Sequence, residues 1–205
     1  AIALDGPHPI FGENQTAETV QDYAAANNLP PTRMEIGFTP VIVNTGGELV
    51  LFDTGNGAGR RPNAGALVAR LANAGYGADQ IDIVVDKMSF LGDEGSVAGG
   101  ITSVAAFGHT PGHMAFHIES EGKRLLLFAD VCNHYIVSLQ KPDWHVRFDM
   151  DKEGAVATRK KLLGMAAADG IPATGYHMPF PAVGFVQPMS GGGFRWSAVS
   201  YQLHV

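Results

Sequence analysis

Cysteine is almost missing from this chain: Cys132 is the only one among 205 residues. A single thiol excludes an internal disulfide and any cysteine-rich zinc knuckle. Beside an apolar strand end it suits a small buried side chain better than a nucleophile. Basic charge is also scarce. Fourteen Lys and Arg stand against 20 Asp and Glu, a net charge of −6, whereas nucleic-acid phosphates are held by clustered cations. No nucleic-acid partner is expected. The one local cluster, Arg159-Lys160-Lys161, reads as the solvated face of a helix. No apolar run approaches the ~18 residues of a membrane-spanning helix, so no membrane partner is expected either. A Gly-x-Ser-x-Gly elbow is absent, which leaves a serine-hydrolase triad without its signature.

What is plentiful points elsewhere. Twenty-six glycines and 12 prolines imply many turns between short strands. Hydrophobic residues at 45% against charged residues at 17% are the balance of a globular protein. At this length one large core suffices, and a single domain over 1–205 is expected.

In chain order, Thr16 stands where it can cap a helix over 17–27. Residues 38–44 read as a strand, Thr45-Gly46-Gly47 as a hairpin turn and 48–52 as the returning strand. That strand ends at Asp53-Thr54-Gly55, where Asp53 is equally a loop-fixing carboxylate or a site residue. A helix over 64–74 stops at Gly75, and the apolar run 81–85 reads as a central, buried strand. After Val85 the pattern breaks. Such a strand normally leads into a long crossover, yet Asp86-Lys87 follows directly. From Ile101 the pattern resumes with a strand, a turn over 107–113, a strand to Glu119 and another over 124–129. A mixed loop over 131–144, a helix capped near Asp151 and running to Ala168, and a strand ending at His177 follow. An apolar lip at Met178-Pro179-Phe180-Pro181 and a last strand from Phe194 to Leu203 close the chain.

Three of these strand ends carry metal-binding chemistry. His109 lies in Gly108-His109-Thr110-Pro111-Gly112-His113, Asp130 follows Leu125-Leu126-Leu127-Phe128-Ala129, and His177 follows Ala173-Thr174-Gly175-Tyr176. Gly112 allows close backbone approach in its turn. Two imidazoles and a carboxylate are the ligand types of a hard-to-borderline divalent ion. His109, Asp130 and His177 are therefore the candidate metal ligands, with Asp130 at the catalytic centre. His113 is expected as an imidazole packed behind them. His134 reads as a surface residue or one packed behind the ligands, ahead of a pocket-lining role, Phe180 as part of the pocket lip and His117 as structural. His145 and His204 carry no assigned role.

Taken together, Val41 to Gly57 with its Asp-Thr-Gly, the His-Thr-Pro-Gly-His turn, Phe128-Ala129-Asp130 and Gly175-Tyr176-His177 resemble the metallo-β-lactamase-fold hydrolases. The second half, with Trp144 to Asp149, Phe180-Pro181 and Phe194 to Tyr201, is most similar to the branch containing methyl parathion hydrolase and related lactonase-like enzymes. The resemblance implies an α/β fold, a four-layer αβ/βα sandwich with two metals, usually zinc, between the sheet edges. It implies that His109 binds the first metal, Asp130 bridges both, His177 binds the second and Asp53 supports the site. It also implies hydrolysis of an ester-like bond (lactone, aryl ester or phosphotriester) by a metal-activated hydroxide. An acidic protein with an apolar lip of Phe180, Pro181, Val183 and Phe185 suits a small, uncharged ester. A homodimer formed through apolar loops is a family-level expectation.

One signature of that family is absent. Its His-x-His-x-Asp-His motif, the source of four further ligands, should follow residues 81–85 and occurs nowhere in the chain. The fold is therefore expected to be incomplete around Val85–Asp86, through a segment left out of this sequence or through a true deletion. The first is favoured, because both flanks keep family character up to the junction. A catalytic zinc usually takes three protein ligands of its own, so the chain as written is expected to hold metal weakly or not at all. Asp86, Asp93 and Glu94 are candidate substitute carboxylates. The alternative is a non-catalytic binding or scaffold protein that kept the sandwich and lost the metals.

Overall fold

Short apolar runs punctuated by glycine and proline form the strands of the computed structural model, which describes residues 1–85 and 94–200. In chain order the elements are β1 (Ile2–Leu4), α1 (Ala17–Ala26), β2 (Met34–Ile36), β3 (Val41–Asn44), β4 (Leu49–Phe52), α2 (Leu67–Asn73), β5 (Ile83–Val85) and β6 (Ser96–Ala98). They continue with β7 (Ile101–Ala105), β8 (Met114–Ser120), β9 (Lys123–Leu127), α3 (Val137–Gln140), α4 (Lys152–Asp169), β10 (Pro172–Thr174), β11 (Val183–Pro188) and β12 (Phe194–Ala198). Among the described residues these strands make a seven-stranded sheet in the order β12-β11-β10-β9-β8-β7-β6, a three-stranded sheet β3-β4-β5 and the pair β1-β2.

Period-two alternation assigns the two faces of the large sheet. Met114 and Phe116 of β8 and Leu127 of β9 meet Val50, Phe52 and Val85 of the small sheet in one buried cluster. Ala115, Leu126 and Phe128 face the other way and pack with Leu162, Leu163 and Ala166 of α4. The large sheet is thus sandwiched between α4 and the small sheet. A third cluster joins Phe11, Val20 of α1, Met34 and Ile36 of β2, Trp144 and Val146.

The helices begin and end where capping chemistry places them. The Thr16 side chain accepts from the Thr19 N–H at α1, and the Asp151 carboxylate accepts from the Gly154 N–H at α4. Gly170 closes α4 in the left-handed conformation, with φ of 62°. The buried residues of α4 are Ala155, Val156, Arg159, Leu162, Leu163 and Ala166, a stripe at helical spacing. Arg159 lies on that stripe with only 1% of its surface exposed, so the expected solvated basic face is corrected at this position.

Other expectations are corrected as well. Residues 83–85 are not a central strand: among the described residues β5 lies at the edge of the small sheet, parallel to β4, with Val84 45% exposed. A short apolar run cannot distinguish burial on two faces from burial on one. The strand expected over 38–44 begins only at Val41, after Pro40. The lip residues Val183 and Phe185 belong to β11, paired between β10 and β12. Asp86, Asp93 and the Val85–Asp86 junction, and the far end of the last expected strand with His204, lie outside the described residues.

Candidate metal centre

Sheet pairing brings the three candidate ligands to one edge. β9 and β10 run parallel, with Leu127 beside Thr174, so the segments following them leave the sheet side by side. β8 is antiparallel to β9, with Phe116 opposite Leu127, which places the turn before Met114 at the same edge. Asp53, following β4, arrives from the small sheet, and its N–H donates to the Val85 carbonyl. The chain after β9 turns sharply: Ala129 adopts φ of 52° and Asp130 sits in a short 3-10 turn.

Each imidazole is oriented by its outer nitrogen. His177 Nδ1 donates to the Gly37 carbonyl at 2.7 Å, and its Nε2 lies 2.8 Å from Asp130 Oδ1. His109 Nδ1 donates to Asp149 Oδ1 at 2.9 Å, while its Nε2 lies 3.8 Å from Asp130 Oδ2. The two rings therefore address different oxygens of one carboxylate. Burial pushes the Asp130 pKa up, but the His177 hydrogen bond and charge outweigh it and bring Asp130 below its ordinary 3.8. Burial likewise pushes His177 down, and the Asp130 hydrogen bond and charge reverse this to raise it above 6.5. Each partner thus favours the charged form of the other.

His113 sits behind Asp130. Its Nε2 accepts from the Asp130 N–H at 3.1 Å and its Nδ1 donates to the Ala106 carbonyl at 2.9 Å. Both ring nitrogens are thereby engaged, and burial holds its pKa below the ordinary value. Asp53 Oδ1 accepts from the Gly55 N–H at 2.8 Å and fixes its own loop, while the residue also lines a cavity with His109 and Asp130. His134 is buried, not on the surface. Its Nδ1 accepts from the Ile136 and Val137 N–H groups at 3.2 Å, and burial, with His177 nearby, pushes its pKa down to about 4. Phe180 is 97% exposed and lines none of the cavities beside Asp130. Its side chain projects to solvent, beside Met178 and Pro179, which line a further cavity with His177. Cys132 is fully buried and burial pushes its thiol up to about 12, an environment without nucleophilic character. His145 Nε2 pairs with Glu153 at 3.0 Å on the surface.

Among the described residues, two cavities with room for water adjoin the carboxylate. One, of about 220 Å³, is lined by Asp53, Val85, His109, His113, Asp130 and Tyr176 among others. The other, of about 320 Å³, is walled by Ile2, Leu4, Ile36, Phe38 and Phe148 and carries Asn56, Arg60 and Asn133 beside His109, Asp130 and His177. Sequence reasoning missed Asp149, Arg159 and the Gly37 carbonyl. Arg159 was findable, since it falls at helical spacing between Val156 and Leu163 on the apolar stripe. Gly37 carries no side-chain signal and reaches His177 only through long-range folding.

The donors fit zinc in kind and fall short in number. Ring nitrogens backed by a carboxylate and a carbonyl are the usual setting of metal-binding imidazoles. Among the described residues, however, no cluster of three or more His, Cys, Asp or Glu side chains can surround one ion. One imidazole instead faces each oxygen of the shared carboxylate.

No family model matches the chain, and no curated protein matches it. Solved structures do. AidC, a dizinc quorum-quenching lactonase in complex with a product, is similar with a TM-score of 0.86 at 20% identity, over 98% of this chain and 92% of its own. The hydrolase AbOPH of the beta lactamase superfamily gives 0.83 at 17% identity, over 97% and 92%. A probable metal-dependent hydrolase from Staphylococcus aureus gives 0.70 at 14% identity, over 98% and 97%. At these identities the likeness establishes the architecture, which is the metallo-β-lactamase fold.

Proposed function

Starting from that fold, we propose that the protein is a metal-dependent hydrolase of ester-like bonds. One observation carries the reading: His109, Asp130 and His177, far apart in sequence, present two ring nitrogens and a carboxylate at one sheet edge. The dizinc lactonase and the hydrolase among the structural neighbours support it. When bound, zinc supplies Lewis-acid polarisation of a substrate oxygen and lowers the pKa of water toward neutrality. The chain's own residues prepare the site for this. Asp149 and the Gly37 carbonyl orient the two rings, and His113 holds the Asp130 turn. Ile36, Phe38 and Phe148 give the larger cavity an apolar wall that displaces water. A small, uncharged lactone, aryl ester or phosphotriester suits that cavity.

The shortage of ligands is best explained by a segment that follows Val85 in the complete single domain. In support, Val85 lines the same cavity as Asp53, His109 and Asp130. Residues continuing from β5 would enter where a two-metal site lacks ligands. In its present form the chain then holds zinc weakly.

The test is elemental analysis after dialysis, followed by assays of the zinc-loaded, complete protein against lactone, aryl ester and organophosphate panels. We expect two zincs and turnover of at least one class for the complete protein, and sub-stoichiometric zinc for the 205-residue chain. Absence of turnover at full occupancy would move the assignment to a non-catalytic scaffold. Two tightly held zincs in the shorter chain would refute the missing-segment reading.

A further inference from the structure

Arg159 donates in three directions from a fully enclosed position. Its Nε donates to the Val131 carbonyl at 2.7 Å, its Nη1 to the Pro142 and Trp144 carbonyls at 3.1 and 3.4 Å, and its Nη2 to Asp149 Oδ2 at 2.8 Å. Val131 directly follows Asp130, and the other oxygen of Asp149 accepts from His109 Nδ1. A single planar cation therefore ties the turn that carries Asp130 to the carboxylate that orients His109. Arg159 and Asp149 side chains are each 1% exposed, so neither contact is loosened by water. A buried ion pair can often be replaced by packed apolar residues without loss of stability. Its bridging position suggests more than a contribution to folding.

We propose that Arg159 is a positioning residue for the His109 half of the site. Through Asp149 it holds the His109 ring by its Nδ1–H with Nε2 turned to Asp130, and through Val131 it sets the 3.8 Å separation between them. The guanidinium is required because its fork reaches all these acceptors at once, whereas a lysine ammonium has no such fixed geometry. The proposal deepens the metallohydrolase reading but can fail separately from it, since its first readout needs neither metal nor substrate.

That readout is the tautomer of His109, from long-range proton–nitrogen NMR of metal-free, nitrogen-15-labelled protein. The second is cobalt(II) affinity by competition titration. In Arg159→Met we expect His109 to populate both tautomers and cobalt affinity to fall about 10- to 100-fold, with Arg159→Lys restoring part of both. The paired variant Arg159→Met/Asp149→Leu separates positioning from folding. It removes the buried charges together, so thermal stability should return toward the parent while the His109 tautomer and cobalt affinity stay impaired. If Arg159→Met does not fold, the paired variant alone decides. A folded paired variant with the parental tautomer and cobalt affinity would overturn the proposal. If the parent itself binds no cobalt, the tautomer still decides the positioning role, and the hydrolase reading is decided separately by the assays of the complete protein.

Discussion

Gly175→Ala tests how closely the Asp130 and His177 strand ends are fitted together. A Cβ at Gly175 would overlap the ring of Phe128, with Cδ2 and Cζ 2.7 Å away and Cε2 nearer still. Ordinary contact begins at 3.4 Å, so relieving even the 2.7 Å contacts needs a retreat of about 0.7 Å in a close-packed interior. Phe128 is fully buried against Trp196, with ring centroids 6.2 Å apart, and has little room to turn. The substitution should cost about 1–3 kcal/mol through overpacking, lowering Tm by roughly 2–12 °C for a chain of this length. Because Gly175 lies two residues before His177 and Phe128 two before Asp130, the same displacement should weaken metal binding. Phe128→Leu restores room. Urea denaturation of the two single variants and the double variant forms a cycle in which the double should exceed the additive value by about 1 kcal/mol or more. Additivity within about 0.5 kcal/mol would show that the two strand ends are not coupled through this contact, and the reasoning would be wrong.

The metal-free protein should have a pH optimum set by the Asp130–His177 pair. Asp130 is lowered below 3.8, so its contribution is present above that value and is lost as pH falls through its folded pKa. His177 is raised above 6.5, so its contribution is complete below that value and is lost as pH rises through its folded pKa. Urea midpoints should therefore peak between about pH 4 and 6.5, and an equal profile in Asp130→Asn would refute the assignment. His113→Leu removes the acceptor of the Asp130 N–H and should cost about 1–3 kcal/mol together with metal affinity; an unchanged urea midpoint would exclude the clamp. Gly108→Ala places a Cβ on the Ala155 backbone at a φ of 127°, where no side chain can rotate away. Its loss of stability should clearly exceed that of Gly122→Ala, which has φ of 72° in open space, and equal melting temperatures would sink the steric argument.

Much of the frame was legible because it is written in local patterns. Thr16 and Asp151 are capping residues at the starts of their helices, and both cap in the structure. The strands flanking the histidine turn show alternation that survives folding, and their pairing is antiparallel as a short connection demands. Short segments were less readable. β6 and α3 are three and four residues long, too short for any period to stand out. The basic triplet at 159–161 misled at one position, because three consecutive helical residues cannot share a face: Lys160 and Lys161 are exposed, while Arg159 shares the buried face with Val156 and Leu163.

By itself the amino-acid order determined which segments form strands, where the turns fall, and which imidazoles and carboxylates stand at strand ends. Those are consequences of backbone sterics and of polar–apolar spacing within a few residues. Only the tertiary structure decided that His177 is held by a carbonyl 140 positions away and that Asp149 and Arg159 stand behind His109. The same level decided that Phe180 faces solvent and that β5 is an edge strand among the described residues. The physical reason is that hydrogen-bond partners and burial depend on which elements meet across the sandwich, a global packing outcome that local spacing does not encode.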